Sequence, residues 1–105
     1  MTPGQATDEL AQLWRAVEHV AQARIAVLDA ALRALQDGAP DTAQRSAAAF
    51  EECHKLVGSL DSWGRAGGSA LALQAAQELA LPEPDPVVLA DVLARLRRTV
   101  DGPPA

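Results

Sequence analysis

The sequence predicts an all-α protein, an antiparallel up-and-down four-helix bundle, from three observations. Alanine and leucine dominate, β-branched residues are few, and the 105 residues include one phenylalanine and no tyrosine, a composition that favours helices over sheets. Apolar residues recur at three- and four-residue steps in four segments, as in amphipathic helices. Short polar segments rich in glycine and proline separate them, and short connections favour antiparallel neighbours. We therefore predict one domain over 1–105, with helices over 8–37, 42–63, 70–81 and 86–100.

The first predicted helix begins after Thr7, which is an acceptable N-cap. One long apolar stripe follows, made of Leu10, Leu13, Trp14, Val17, Ala21, Ile25, Leu28, Leu32 and Leu35. The sequence "DGAP" (37–40) is expected to end the helix, with Gly38 as a left-handed cap.

The second predicted helix begins after Asp41, and Gln44 three residues later completes a capping-box pattern. Its expected buried stripe is Phe50, Cys53, Val57 and Leu60, with Leu56 and Trp63 on one shoulder. The glycine-rich sequence "GRAGG" (64–68) is expected to end it.

Two shorter helices complete the predicted bundle. Ser69 is a candidate N-cap for the third helix, whose apolar residues are Leu71, Leu73, Ala76 and Leu79. The rigid connector "LPEPDP" (81–86) follows, with Asp85 as the next N-cap and Pro86 at the favoured first helical position. The fourth helix carries Leu89, Val92, Leu93 and Leu96, and then fades into "DGPPA" (101–105), which we expect to fray.

Composition and charge argue against several classes of protein. The formal net charge of −5 disfavours a nucleic-acid binder, which needs a basic face to meet phosphates. The single cysteine precludes an internal disulfide, and the first residues lack the basic and apolar segments of a signal peptide. No apolar run approaches the roughly 18 residues needed to span a bilayer. We expect a soluble, cytoplasmic protein with neither a nucleic-acid nor a membrane partner.

The candidate functional residue is His54, within "CHKLVGSLDSWG" (53–64). Gly58 stands one turn later in the predicted helix, where glycine costs roughly 1 kcal/mol relative to alanine. At about 100° per residue, His54 lies at the border of the apolar stripe, with Gly58 beside it on the outer side. The missing side chain opens a flat approach to the imidazole for a large partner, and no concave pocket for a small substrate is indicated.

This segment resembles the core of histidine-containing phosphotransfer (HPt) domains, the phosphocarrier modules of bacterial and fungal phosphorelays. That family has a histidine, any residue, an apolar residue, usually a lysine, then glycine and a small residue. A second glycine follows ten places after the histidine, with an apolar residue just before it. The matching positions are His54, Lys55, Leu56, Val57, Gly58, Ser59, Trp63 and Gly64. The resemblance is strong over about a dozen residues and looser over the four-helix plan.

The chain departs from the family pattern in two places. Val57 stands where the family usually has lysine. The leucine seventeen places after the histidine is matched by Leu71, but Ala75 occupies the position of a frequent glutamate twenty-one places after it. "RAGGS" (65–69) resembles a short insertion that would move Glu78 into that role.

The resemblance implies a phosphorelay function in which His54 accepts and donates a phosphoryl group. The partners would be a response-regulator receiver domain, a sensor histidine kinase, or both. The chain itself would need no cofactor and would not be an autonomous enzyme, because the receiver supplies Mg²⁺ and most of the catalytic groups. Supporting or partner-docking roles are expected for five residues: Lys55, Gly58, Ser59, Gly64 and Arg65. Lys55 or Arg65 would offset the added negative charge.

An imidazole suits this chemistry, since its reference pKa of about 6.5 leaves a neutral ring with a free lone pair at neutral pH. Transfer from an aspartyl phosphate passes through a loose transition state, so positioning and charge neutralisation dominate catalysis. Glu51 and Asp61 neighbour the histidine on the helical wheel, and one of them is a candidate to orient the ring through its second nitrogen.

Two other functions compete with this hypothesis. A phosphotransfer-like bundle that carries no phosphate and serves as a docking or dimerisation module is the alternative, favoured by Val57. A self-contained enzyme is a distant third, because no phosphate-binding glycine loop, metal-ligand spacing or nucleophile–base pattern is present. His19, with no glycine neighbour, is expected to be an ordinary surface residue. Cys53 and both tryptophans are expected to pack in the interior.

Overall fold

Four α-helices make up the part of the chain that the computed structural model describes, residues 3–102, with side-chain surroundings given from residue 8 onward. No strand occurs within these residues. The helices are α1 (Pro3–Asp37), α2 (Thr42–Val57), α3 (Gly68–Leu79) and α4 (Pro86–Asp101). None of them has both the length and the apolar character that crossing a membrane requires.

Each helix packs against the next in the chain, and α4 closes the arrangement by packing against α1. Within the described residues, no Cα atom of α1 lies within 8 Å of one in α3, and no Cα atom of α2 lies within 8 Å of one in α4. The helices therefore surround one core in chain order. α1 has 35 residues, about 52 Å at 1.5 Å per residue, and accounts for the whole 53 Å length of the molecule.

The core combines leucines from all four helices with alanines from α1, α2 and α3. Its largest fully buried side chains include Ile25, Leu28, Leu56, Leu60, Leu89, Leu93 and Leu96. On α3 the buried residues are Gly68, Ala72, Ala75, Ala76 and Leu79, whereas Leu73 remains 43% exposed. Leu73, one of the four apolar residues noted in the sequence of this helix, therefore lies outside the core. A face of small residues lets α3 lie close to its neighbours, and larger side chains are left outside.

The predicted apolar stripe of α1 faces the core except at its start, and Leu32 and Leu35 at its end pack against the core. Trp14, Ala21, Ile25 and Leu28 are buried, but Leu10 and Leu13 are 37% and 40% exposed. α1 also begins earlier than predicted, so Thr7 lies inside the helix rather than at its N-cap. Proline is favoured in the first helical turn, where its missing N–H is not needed, and Pro3 is in that position.

Two predicted helix boundaries are confirmed. Gly38 is left-handed, with φ of +62°, and the Ala39 N–H donates to the Ala34 carbonyl at 3.0 Å, the hydrogen bond of a Schellman motif. At the start of α4 the Asp85 carboxylate accepts a hydrogen bond from the Val87 N–H at 2.8 Å, with Pro86 in the first helical position. α4 extends to Asp101, and the residues 103–105 of the segment predicted to fray lie outside the described residues.

The N-cap side chains of α2 and α3 behave differently from the prediction. Asp41 occupies the N-cap position of α2, but its carboxylate pairs with Arg45 at 2.6 Å and makes no cap bond. α3 begins at Gly68 after a left-handed Gly67 (φ +84°), so Ser69 is not its N-cap. The ion pair with Arg45 thus takes the place of the expected cap bond at α2, and Gly67 and Gly68 take the place of the expected serine cap at α3.

The second helix ends at Val57, six residues before the predicted end. Gly58 is its C-cap residue, and residues 58–64 form successive tight turns, with the Ser59 N–H bonded to the Leu56 carbonyl at 3.1 Å. The Ser59 hydroxyl also donates to the Lys55 carbonyl at 2.5 Å. This competing hydroxyl bond accounts for the early end of the helix.

Candidate functional site

His54 lies in the last turn of α2 with its side chain exposed. The buried positions of α2 are Ser46, Ala49, Cys53 and Leu56, a stripe rotated from the predicted one toward smaller residues. This rotation places His54 about 120° from the centre of the stripe, further toward solvent than expected. The imidazole is therefore accessible from outside the bundle.

One aromatic contact fixes the side of the imidazole that faces the protein. The ring of Phe50, one turn earlier, meets the His54 ring edge to face with centroids 4.5 Å apart. This arrangement is the preferred geometry for aromatic pairs and limits rotation of the imidazole. Phe50 itself is half-buried, rather than a full member of the core as the sequence predicted.

Gly58 is exposed and has an ordinary right-handed backbone, with φ of −77° and ψ of −12°. A Cβ atom placed there would meet only the carbonyl oxygens of Lys55 and His54, at 3.7 and 3.9 Å, which are normal contact distances. Neither backbone strain nor packing therefore requires glycine at this position.

The other glycines of the segment have structural explanations. Gly64 is left-handed (φ +80°), where side chains are disfavoured, and it turns the chain away from the end of α2. At Gly68 a Cβ atom would lie 2.9 Å from the Cβ of Leu60, so this glycine allows the start of α3 to approach the turns closely. This contact could not be predicted from the sequence pattern, because it depends on how two segments meet.

A reciprocal pair of hydrogen bonds fixes the turns after His54 to α3. The Asp61 carboxylate accepts from the Ser69 N–H, and the Asp61 N–H donates to the Ser69 hydroxyl, both at 3.2 Å. Asp61 therefore has a structural partner and does not orient the imidazole. Within the described residues His54 has no hydrogen bond to Asp61 or Glu51.

Lys55 is the cation adjacent to His54 in the chain. Its ammonium group pairs with Glu52 at 3.1 Å, and Glu52 also meets Arg24 at 3.5 Å. The Lys55 side chain remains 53% exposed, so this exposed ion pair is weak and its cation can be redirected. Val57, at the family's lysine position, is half-buried and packs against the core.

Arg65 does not lie on the exposed surface with His54, contrary to the expectation that it supplies a cation there. It is 4% exposed, its guanidinium lies 3.9 Å from the centroid of the Trp14 ring, and it donates to the Gly102 carbonyl at the end of α4. Burial lowers the pKa of Arg65, and the carboxylates of Glu18 and Asp101 act in the opposite direction. The two tryptophans pack beside it with ring centroids 6.4 Å apart.

The remaining candidate residues have structural surroundings. Glu78 accepts a hydrogen bond from the Asp85 N–H at 3.0 Å, which stabilises the α3–α4 connector. Cys53 is fully buried, and burial, with a smaller effect from Glu52, raises its pKa to about 12. His19 is exposed. No cluster of three or more His, Cys, Asp or Glu side chains in the described part of the chain is arranged to hold a metal ion.

Comparison of the chain with protein-family models, curated proteins and solved structures gave no significant match. The residues around His54 and their geometry are therefore the features that indicate a function.

Proposed function

We propose that the protein is a phosphorelay phosphocarrier of the HPt type, with His54 as the phosphoacceptor. One observation carries the proposal: an exposed imidazole lies one turn before a glycine that the fold does not require. A glycine with no conformational or packing role lowers stability relative to alanine. Its presence is explained if a partner surface has to come close to the imidazole.

The arrangement of the helices supports the same proposal. We infer an antiparallel up-and-down bundle, because the connections are short and each helix packs on its chain neighbour, with α4 closing on α1. In such a bundle α2 has neighbours on two sides and one free face, and His54 is on that face. A receiver domain or sensor kinase in the cytoplasm would approach there.

The proposed step conserves atoms and charge. A lone pair on one ring nitrogen of His54 attacks the phosphorus of a receiver's aspartyl phosphate. The bond from phosphorus to the aspartate oxygen breaks, its electron pair returns to the carboxylate, and the second ring nitrogen keeps its proton. Transfer to the next receiver reverses these changes. The edge contact with Phe50 holds the ring orientation, and the receiver's Mg²⁺ neutralises phosphoryl charge.

Lys55 is the cation best placed to stabilise the phosphorylated state. Phosphorylation adds up to two negative charges beside an exposed lysine whose present partner is Glu52. A phosphoryl group presents up to two negative charges and three strong acceptor oxygens, so Lys55 would exchange Glu52 for the phosphoryl group.

The test is phosphoryl transfer from a panel of radiolabelled receiver domains to this protein and to two matched variants. We expect acid-labile, base-stable label on the wild type and on His19→Gln, and none on His54→Gln. Both histidines are exposed, so His19→Gln controls for nonspecific labelling. Full labelling of His54→Gln would overturn the assignment.

The alternative is a docking or dimerisation module that binds a receiver without transferring phosphate. It is favoured by Val57, since an apolar residue packed against the core replaces the usual cation. Receiver binding without transfer, unchanged by His54→Gln, would establish this alternative over the phosphocarrier.

A further inference from the structure

An open groove of about 790 Å³ runs between α2 and the connector that joins α3 to α4. Residues of α2 between positions 42 and 51 form one wall, and residues 80–84 form the other. The groove could not be predicted from the sequence pattern, because its second wall is built by the connector. The volume falls within the range of about 300–1,000 Å³ typical of small-molecule sites.

The groove surface is mainly apolar. Ala43, Ala47 and Phe50 contribute from α2, and Leu81 and Pro82 from the connector. Leu81 is 49% exposed, a large apolar side chain that the bundle leaves in water. An apolar ligand in the groove would remove this surface from solvent, which favours binding.

A polar group on the α2 wall lacks a partner. Ser46 lines the groove and is only 7% exposed, yet its hydroxyl has no hydrogen-bond partner. Buried hydroxyl groups are nearly always hydrogen-bonded, so each exception calls for an explanation. The oxygen itself has less than 1 Å² of accessible surface, so the polar head group of a ligand would bond to it only after the side chain rotated toward the groove.

The charged residues of the groove determine whether a positively or a negatively charged head group is favoured. Two ionisable residues line it, Glu51 on the α2 wall and Glu83 on the connector, and both are exposed carboxylates. Neither forms an ion pair within the described residues. The pair favours a cation and disfavours an anion with the same apolar body.

We propose that this groove binds a small amphipathic amine, a molecule with an alkyl or aromatic body and one protonated nitrogen. The α2 wall from 42 to 51 is about 14 Å long at 1.5 Å per residue, which suits a short alkyl chain with its head group. Phe50 connects the groove to the candidate site, since it lines the groove and also contacts the His54 ring. A ligand bound in the groove therefore changes the surroundings of His54. The importance of this change for signalling rests on the proposed function.

The test is an NMR titration of the isotope-labelled protein with octylamine, and with octanol and octanoate as matched neutral and anionic probes. We expect saturable shifts at the amides of Ala43, Ala47 and Leu81. Octylammonium should bind about fivefold or more tightly than octanoate, the scale of exposed charge interactions. The ring signals of His54 should move with the same affinity, and those of His19 should remain fixed.

Two variants make the assignment specific. Ala47→Leu fills the groove from an exposed helical position and should abolish the shifts for all three probes. The double variant Glu51→Gln, Glu83→Gln should retain octanol binding and lose the preference for octylammonium. Absence of saturable shifts at the groove, equal binding of octanoate, or the same charge preference in the double variant would overturn the proposal. The titration involves no phosphoryl group, so its failure is distinguishable from a failure of phosphotransfer.

Discussion

Replacing Gly58 with alanine should stabilise the protein, although the residue belongs to the candidate site. The backbone there is right-handed, and the new Cβ would have contacts of 3.7 Å or longer. The gain comes from the unfolded chain, which loses conformational freedom, and amounts to about 0.4–1 kcal/mol. For a domain of this size it corresponds to a rise in melting temperature of about 2–8 °C.

Gly68→Ala is the matched control, and the same added methyl group should have the opposite effect. Its Cβ would lie 2.9 Å from the Cβ of Leu60 in the buried contact between α3 and the turns. Overpacking of this kind costs about 1–3 kcal/mol.

Urea unfolding followed by far-UV circular dichroism, with equal protein concentrations and buffer, measures both differences. If Gly58→Ala were destabilising by about 1 kcal/mol or more, a structural role would explain the glycine, and the proposal that Gly58 leaves room for a partner at the imidazole would be refuted. With folding intact, the phosphocarrier proposal further expects Gly58→Ala to slow transfer from a receiver, and Gly58→Leu to slow it more.

Three further predictions concern the core and the helix ends. Because burial raises the pKa of Cys53 to about 12, the thiol ionises more readily in the unfolded chain. The contribution of Cys53 to the free energy of unfolding should therefore be constant below about pH 8.5 and should fall as the pH rises toward 12. Urea unfolding at several pH values measures this slope, and Cys53→Ala should remove it. Asp85→Ala, which removes a cap bond, should cost about 0.5–2 kcal/mol, whereas Asp41→Ala, with no cap bond to lose, should stay within about 0.5 kcal/mol by the same measurement. Arg65→Ala removes the stacking on Trp14 and a charge-assisted hydrogen bond, so it should cost roughly 2–4 kcal/mol and change the tryptophan fluorescence; a loss below about 0.5 kcal/mol would contradict the contact.

The all-helical architecture and several helix ends could be predicted because they depend on local chemistry. The Asp85 cap and the left-handed Gly38 are determined by neighbouring residues, and the sequence pattern contains both. The exposure of His54 also agrees with its place on the helical wheel.

The rest depends on contacts between segments, which periodicity does not encode. Ala75 is buried and Leu73 is exposed because α3 packs through its small residues, so side-chain hydrophobicity alone assigns the wrong face. The burial of Arg65 requires Trp14 from a distant helix, and a lone arginine in a glycine-rich loop gives no sign of it. The groove beside Phe50 likewise depends on the path of the α3–α4 connector.

The closing contact between α1 and α4 has a consequence for the order in which the structure opens. It joins the two most distant helices in the chain, through Arg97 with Asp29 and through Gln22 with Asp101. Forming it closes the longest chain loop between these helices, which is the costliest closure in entropy. In hydrogen exchange we expect the amides of α4 to lose protection first. The amides of α2, which packs against both α1 and α3, should remain protected longer. The imidazole of His54 is thus carried by the part of the bundle that local unfolding reaches last.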